Sequence, residues 1–323
     1  MNKSFFQQLN TGKNPKFPYY IKGGLRSLVP PCLCRSQLAK LLSQAEKRDD
    51  YDYIRQRVDY YNRLKDSVQL PASVPALANL SLKSATSGSV YFFDSYEIAR
   101  YFPSRFQCSF LFGDITKIPS IPSIVKSRPI AGDNSNSVLL KLDKVRHFIF
   151  LNDKIPFEKK QNKVIFRGKI GGKTNRQRFM ELYCKHPLCN AGDIGRHANP
   201  AWLASKKTLY EHLDYKFIMA LEGNDVASNL KWIMSSNSIA VMPRPTYETW
   251  FMEGTLIPNY HYIEIQPDFS DLEERLNYYI NHPEETQQII ENAHRYVAPF
   301  KDKKREKIIA LMVLQKYFNQ TNQ

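Results

Sequence analysis

At 323 residues and 42% hydrophobic side chains, the chain is long enough for two domains with sizeable cores, and its evenly mixed charges exclude wholesale disorder. Against 31 Asp and Glu it carries 46 Lys and Arg, and the resulting net charge of +15 favours anionic partners: nucleic acid, anionic lipid or phosphorylated small molecules. Five cysteines (Cys32, Cys34, Cys108, Cys184, Cys189) are odd in number and lack paired zinc spacing, so they read as reduced thiols of a cytoplasmic protein.

In chain order, the opening MNKSFFQQLNTGKNPKF breaks its apolar stretch after two residues and is not read as a signal peptide. Residues 19–28, YYIKGGLRSL, are aromatic and basic around a glycine pair. They predict a β–turn unit, with a membrane-surface patch as the alternative. Leu38, Leu41 and Leu42, then Tyr53, Ile54, Val58, Tyr61 and Leu64, recur at helical spacing and predict helix through 36–67. Asp50-Tyr51-Asp52 in that stretch matches a D-x-D metal pattern. No strand precedes it to aim the carboxylates, so it reads as a solvated helix face. Pro71–Pro75 marks a turn. Strands are expected at 90–93, at 109–112 ending in Gly113-Asp114, and at 145–151.

After a charged linker at 156–160 the pattern becomes more regular. Strand 164–167 leads to helix 175–186, strand 214–221 to helix 224–236, and strand 238–242 to helix 247–254. Strand 260–265 and helices 270–281, 284–296 and 303–318 follow. Such alternation predicts an α/β fold whose parallel sheet receives ligands at the carboxyl ends of its strands. The apolar runs, such as Ile308–Leu314, are too short to span a bilayer.

Four stretches can carry chemistry. In KVIFRGKIGGKTNRQRFMELY the ending Gly172-Lys173-Thr174 invites a phosphate-loop reading, but the first glycine of G-x-x-x-x-G-K-[ST] would have to replace Arg167. An NTPase is therefore not expected. What remains is Arg167-Gly168 at a strand end, a flexible turn and a helix start with Arg176 and Arg178, suited either to an anion or to a solvated basic turn. EGNDVASNLKWIMSSNS, residues 222–238, places small residues and Lys231 near a helix start, which permits close ligand approach and equally permits tight helix–sheet packing. In PRPTYETWFMEG, residues 243–254, Tyr247 and Trp250 can stack on a sugar or base or fill a core, and Glu248 can accept hydrogen bonds from hydroxyls. FLFGDITKIP, residues 110–119, delivers Asp114 to a strand end as a general base or a turn cap.

Taken together and in order, SFLFGD, KIP and SRPI, then VIFRG with a downstream arginine, the EGNDVASNLKWIMSSNS helix and HYIEI resemble glycosyltransferase family 90, most nearly the bacterial lipopolysaccharide inner-core hexosyltransferases. The resemblance covers nearly the whole chain. It implies a GT-B fold: two Rossmann-like domains facing a central cleft, here an acceptor-side domain at 1–155, a nucleotide-sugar domain at 156–300, and a helix at 301–323 packing back on the first. It implies inversion at the anomeric carbon, with Asp114 as general base and Arg167, Gly168, Arg176, Ser228, Asn229, Lys231 and Glu248 on the donor. Arg128 and Asn136 are expected on the acceptor side. Protein glucosyltransferases of the family carry arginine where this chain has Asn229, so Lys231 or Arg176 is expected to supply that phosphate contact.

The implied reaction moves glucose or galactose from a UDP-sugar to a heptose of the lipopolysaccharide core. No metal or other cofactor is expected. The partners are the UDP-hexose, the core acceptor and the anionic inner membrane, contacted peripherally from the cytoplasm, with no nucleic acid. The alternatives are a family member with a capsule or protein acceptor, and a non-catalytic binder of nucleic acid or anionic surfaces.

Overall fold

A computed structural model of the chain describes residues 11–82, 88–196 and 198–322. They fold into two compact units. A helix-rich unit comprises Pro15–Val145, Thr246–Gly254 and the described residues from Phe300 on. A sheet-centred unit comprises Arg146–Pro245, Thr255–Pro299 and the described residues up to Asn14. No described helix is long and apolar enough to cross a membrane.

The helix-rich unit starts with helices Lys16–Leu28, Pro31–Glu46, Tyr51–Tyr61 and Ser89–Ala99, followed by short strands β1 (Phe110–Leu111), β2 (Ser123–Val125), β3 (Ser127–Pro129) and β4 (Ser137–Leu139). Proline at the first helical turn suits Pro31–Glu46, because the amide it lacks has no partner there in any case. In the sheet-centred unit β5 (Gln161–Gly168), β6 (Cys189–Asp193), β7 (Tyr215–Met219) and β8 (Ile239–Met242) alternate with helices Thr174–Tyr183, Leu209–His212 and Leu230–Met234. The excursion Thr246–Gly254 carries β9 (Tyr247–Thr249), and β10 (Ile263–Glu264) with helices Leu272–Asn281 and Pro283–Val297 completes the sheet-centred unit. Helix Lys303–Thr321 belongs to the helix-rich unit, where Asp302 caps it by accepting from the amides of Lys304 and Arg305.

β1, β2 and β4 form a parallel sheet, with Phe110 opposite Ile124 and Ile124 opposite Val138. The larger sheet, also parallel, runs β10-β8-β7-β5-β6. Three consecutive residues of β5, Val164, Ile165 and Phe166, are all buried, as expected of a parallel strand covered on both faces. Phe166, Phe179, Phe217, Val241, Ile263 and Phe269 share its core.

Several local expectations are corrected. Residues 19–28 are helical, not a β–turn unit, because packing along the helix outweighs the propensity cost of Gly23-Gly24. The run at 90–93 lies in helix Ser89–Ala99: a buried helix segment and a buried strand look alike as short apolar runs. Residues 145–151 hold only the end of a short helix, Lys144–His147. Helix 224–236 shrinks to Leu230–Met234. The helix expected at 247–254 is replaced by β9, antiparallel to β3. The charges at 156–160 do not make a free linker, since Phe157 is buried and the buried Lys160 ammonium lies 2.8 Å from the Asp153 carboxylate.

Candidate active site

Asp114 follows β1 through Gly113, whose φ of 111° is open to glycine and strained for other residues. β1 and β2 pair in parallel with Leu111 opposite Val125, so residues just beyond both strands share one edge of the sheet. Asp114 therefore meets Lys126, whose ammonium donates to its carboxylate. Lys126 is 1% exposed and Asp114 25%, so a buried cation holds a carboxylate that still faces solvent. Sequence reasoning missed Lys126. Its signal was a lysine directly after the apolar pair Ile124-Val125, one strand on from Asp114.

In the sheet-centred unit the first strand, β5, lies between the second, β6, and the third, β7. The order is that of a doubly wound sheet. The chain reverses direction across the sheet between β5 and β7, and crevices at the carboxyl ends of such a pair receive ligands. The two ends carry loops 169–173 and 220–229. Arg176 clamps one to the other: Nη2 donates to the Leu221 carbonyl at 2.8 Å, Nε to Glu222 at 3.1 Å and Nη1 to Lys169 at 3.1 Å. Lys173 adds a bond from Nζ to Asn224 Oδ1 at 2.9 Å. The lysine of the apparent phosphate-loop ending thus ties the two loops together.

Arg167 leans the other way, toward β6. It donates to the Asn190 carbonyl and Oδ1, both at 2.7 Å, and to the Ser205 carbonyl at 3.2 Å. Arg167 and Arg176 are half-buried, and burial lowers each guanidinium from its ordinary value, with Tyr215 opposing the shift at Arg167. Neither forms an ion pair among the described residues; their partners are carbonyls and one amide oxygen. Each is a partly desolvated cation without a carboxylate, a setting in which an anion is a favourable neighbour. Gly168 contributes its carbonyl, which accepts from the Ile194 amide at 3.0 Å.

In loop 220–229 the side chains take different roles. Ser228 is exposed. Asn229 donates from Nδ2 to the Met219 carbonyl at 3.0 Å and so pins the turn to the end of β7. Lys231 is buried, its ammonium 5.7 Å from the Phe148 ring centre. Beyond the ends of β8 and β10 a pocket of about 390 Å³ is lined by Arg244, Glu264, Gln266, Asp271 and Arg275.

Three of the expected residues lie in the helix-rich unit. Glu248 and Arg128 face each other across the β9–β3 pair, both with 0% exposure and 2.8 Å between Nε and Oε1. Arg128 also donates to the carbonyls of Tyr60, Tyr61 and Ser137, and the Tyr60 hydroxyl donates to Glu248. Glu248 and Arg128 thus form a buried pair whose hydrogen bonds are made internally. Asn136, half-buried, donates to the Pro119 carbonyl at 3.1 Å and holds the preceding loop. Asp50 of the D-x-D pair is held by Arg48 and Arg305, each at 2.6 Å.

Residues 138–320 match the profile described as glycosyl transferase family 90. An O-glucosyltransferase LpsA of Dichelobacter nodosus is 40% identical over 307 residues, covering 94% of this chain and 95% of its own length. The chain belongs to glycosyltransferase family 90. As a family 90 member it is a transferase of sugar, which calls for a sugar donor and a glycoconjugate acceptor. The profile match takes in the β5–β10 sheet with both arginines of this family 90 enzyme.

Proposed function

We propose that this glycosyltransferase moves a hexose from a UDP-sugar to a heptose hydroxyl of a lipopolysaccharide inner core, with inversion, in the GT-B arrangement its family resemblance implies. The observation that carries the reading is a pair of half-buried guanidiniums, Arg176 between the loops after β5 and β7 and Arg167 beside β6, neither matched by a carboxylate among the described residues. The designation of the Dichelobacter relative supports glucose as the sugar and oxygen as the accepting atom.

In the proposed step the acceptor hydroxyl attacks the anomeric carbon from the face opposite UDP. Asp114 takes the hydroxyl proton, a glycosidic C–O bond forms, and the bond from the anomeric carbon to the diphosphate oxygen breaks. Negative charge collecting on the leaving UDP is met by Arg167, Arg176 and the exposed Ser228, cations and donors already in place before the bond breaks. The pocket beyond β8 and β10 offers room for the nucleoside. Lys231 and Glu248, being buried, are not in the proposed contact set. No metal takes part in this scheme, and the setting is the cytoplasmic face of the inner membrane.

A melting-temperature screen against UDP, GDP, ATP and oligonucleotides tests the donor. A shift with UDP alone is expected, whereas stabilisation only by oligonucleotides overturns the reading in favour of a nucleic-acid binder. Incubation with a UDP-sugar panel and truncated core acceptors, read by mass spectrometry, tests the reaction. Transfer to a protein or capsule acceptor but not to the core overturns the proposed acceptor.

A further inference from the structure

Helix Lys16–Leu28 is apolar on its open side as well as on the side it packs. Its covered side carries Tyr19 and Tyr20, whose rings pack edge-on against Phe93, together with Gly23 and Arg26. The Tyr19 hydroxyl donates to Asp94 Oδ1 at 2.8 Å, Arg26 pairs with Glu97 at 2.9 Å, and Gly23 lies against Phe93. A Cβ at Gly23 would stand 2.6 Å from that ring, so glycine is what lets the helix sit down on Ser89–Ala99. The open side is apolar. Phe17, Leu25 and Leu28 are 75%, 61% and 78% exposed, with Ile21 and Pro18 exposed among them. At 100° per residue these positions fall within one stripe of roughly the width that an ordinary helix turns toward a core. Leu33, at the start of the next helix, is exposed as well.

Charge identifies what this face meets. The helix, KFPYYIKGGLRSL, has no acidic residue. Lys22 is exposed on one flank of the stripe, Lys16 is exposed at the helix start, and Arg35 and Lys40 are exposed on the following helix. A second copy docked by the same face would set these lysines against one another. An apolar stripe bordered by Lys22 on a helix without acidic residues instead matches the boundary of an anionic bilayer, where side chains enter the acyl region and ammonium groups stay with phosphate. We propose that helix Lys16–Leu28 lies in the plane of an anionic lipid surface, with Phe17, Ile21, Leu25 and Leu28 inserted and Lys22 on the headgroups. The helix alone carries this inference; it does not rest on the identity of donor or acceptor.

Co-sedimentation of the full chain with phosphatidylcholine vesicles, with and without phosphatidylglycerol, tests it. Binding is expected on the anionic vesicles, weakening as salt rises. The double variant Ile21→Ser/Leu25→Ser and the single variant Lys22→Glu are each expected to lower that binding about tenfold or more. All three side chains are exposed, so the variants should keep the wild-type melting temperature and its response to UDP. Equal binding to neutral and anionic vesicles, or binding indifferent to the variants, overturns the proposal. So does a dimer seen in sedimentation velocity that the double variant abolishes while the wild type ignores vesicles. A missing UDP response with intact vesicle binding strikes the donor reading and leaves this surface standing.

Discussion

The buried ammonium of Lys126 donates to the carboxylate of Asp114 at the shared edge of β1 and β2. A general base must be held still and yet be reachable, and this pair does both. Asp114→Asn keeps the shape but cannot take a proton. Turnover is expected to fall by about a hundredfold or more while UDP still raises the melting temperature. Near-normal turnover in steady-state assays would remove Asp114 from the role.

Arg167→Ala deletes a charge beside β6, and Arg176→Ala deletes one at the β5–β7 edge. Each should weaken UDP binding by about 1.5–3 kcal/mol, the usual range for a charge-assisted contact. Arg176 also joins loops 169–173 and 220–229, so its variant should additionally lose protection from hydrogen exchange in both loops. Calorimetric affinities equal to wild type would show that the arginines only brace the loops.

Glu306 lies buried between Arg57, at 2.5 Å, and Lys141, at 2.8 Å, and accepts from the Trp250 indole at 2.7 Å. Burial pushes its carboxyl up, but Lys141 and Arg57 more than offset this and leave it below the ordinary 4.5. A carboxyl depressed in the folded state contributes stability above its unfolded value and loses it as pH falls through the folded one. Urea stability should therefore decline below about pH 4.5 in the wild type. Glu306→Gln removes the carboxylate that pairs with buried Arg57 and half-buried Lys141 and should cost about 3–5 kcal/mol at neutral pH.

His261 accepts the Ile257 amide at Nδ1, 2.9 Å away, and burial lowers it from 6.5 to about 4. Between those values the unfolded chain takes up a proton that the folded imidazole refuses, so stability falls as pH drops from 6.5 toward 4. The loss from this group should be on the order of 3 kcal/mol. In His261→Gln that part of the pH dependence should vanish from urea titrations. An unchanged slope between the two pH values would assign it to other groups.

Local pattern made much of the sheet-centred unit legible. Apolar runs ending in glycine or turn residues locate β5, β7 and β8 to within a few residues, because a strand buried on both faces needs uninterrupted apolar sequence. The ordered motifs also sufficed for the family. In the helix-rich unit pattern failed at residues 19–28 and 90–93, where helix and strand offer similar short apolar runs.

What the sequence determined by itself is therefore local: which segments can be strands, that Arg167-Gly168 ends one of them, and that Asp114 follows a glycine beyond another. Only the tertiary structure decided who meets whom. Glu248 and Arg128 look like exposed ligands in their own segments, yet β9 and β3 pair them in the interior. Lys231 looks like a phosphate ligand in its own segment, and its helix packs and buries it. Helix Lys16–Leu28 turns its apolar stripe outward because Gly23, Tyr19 and Arg26 fit the neighbouring helix. Periodicity marks a face as apolar, but which face is covered depends on steric fit, hydrogen bonds and ion pairs with residues far away in the chain.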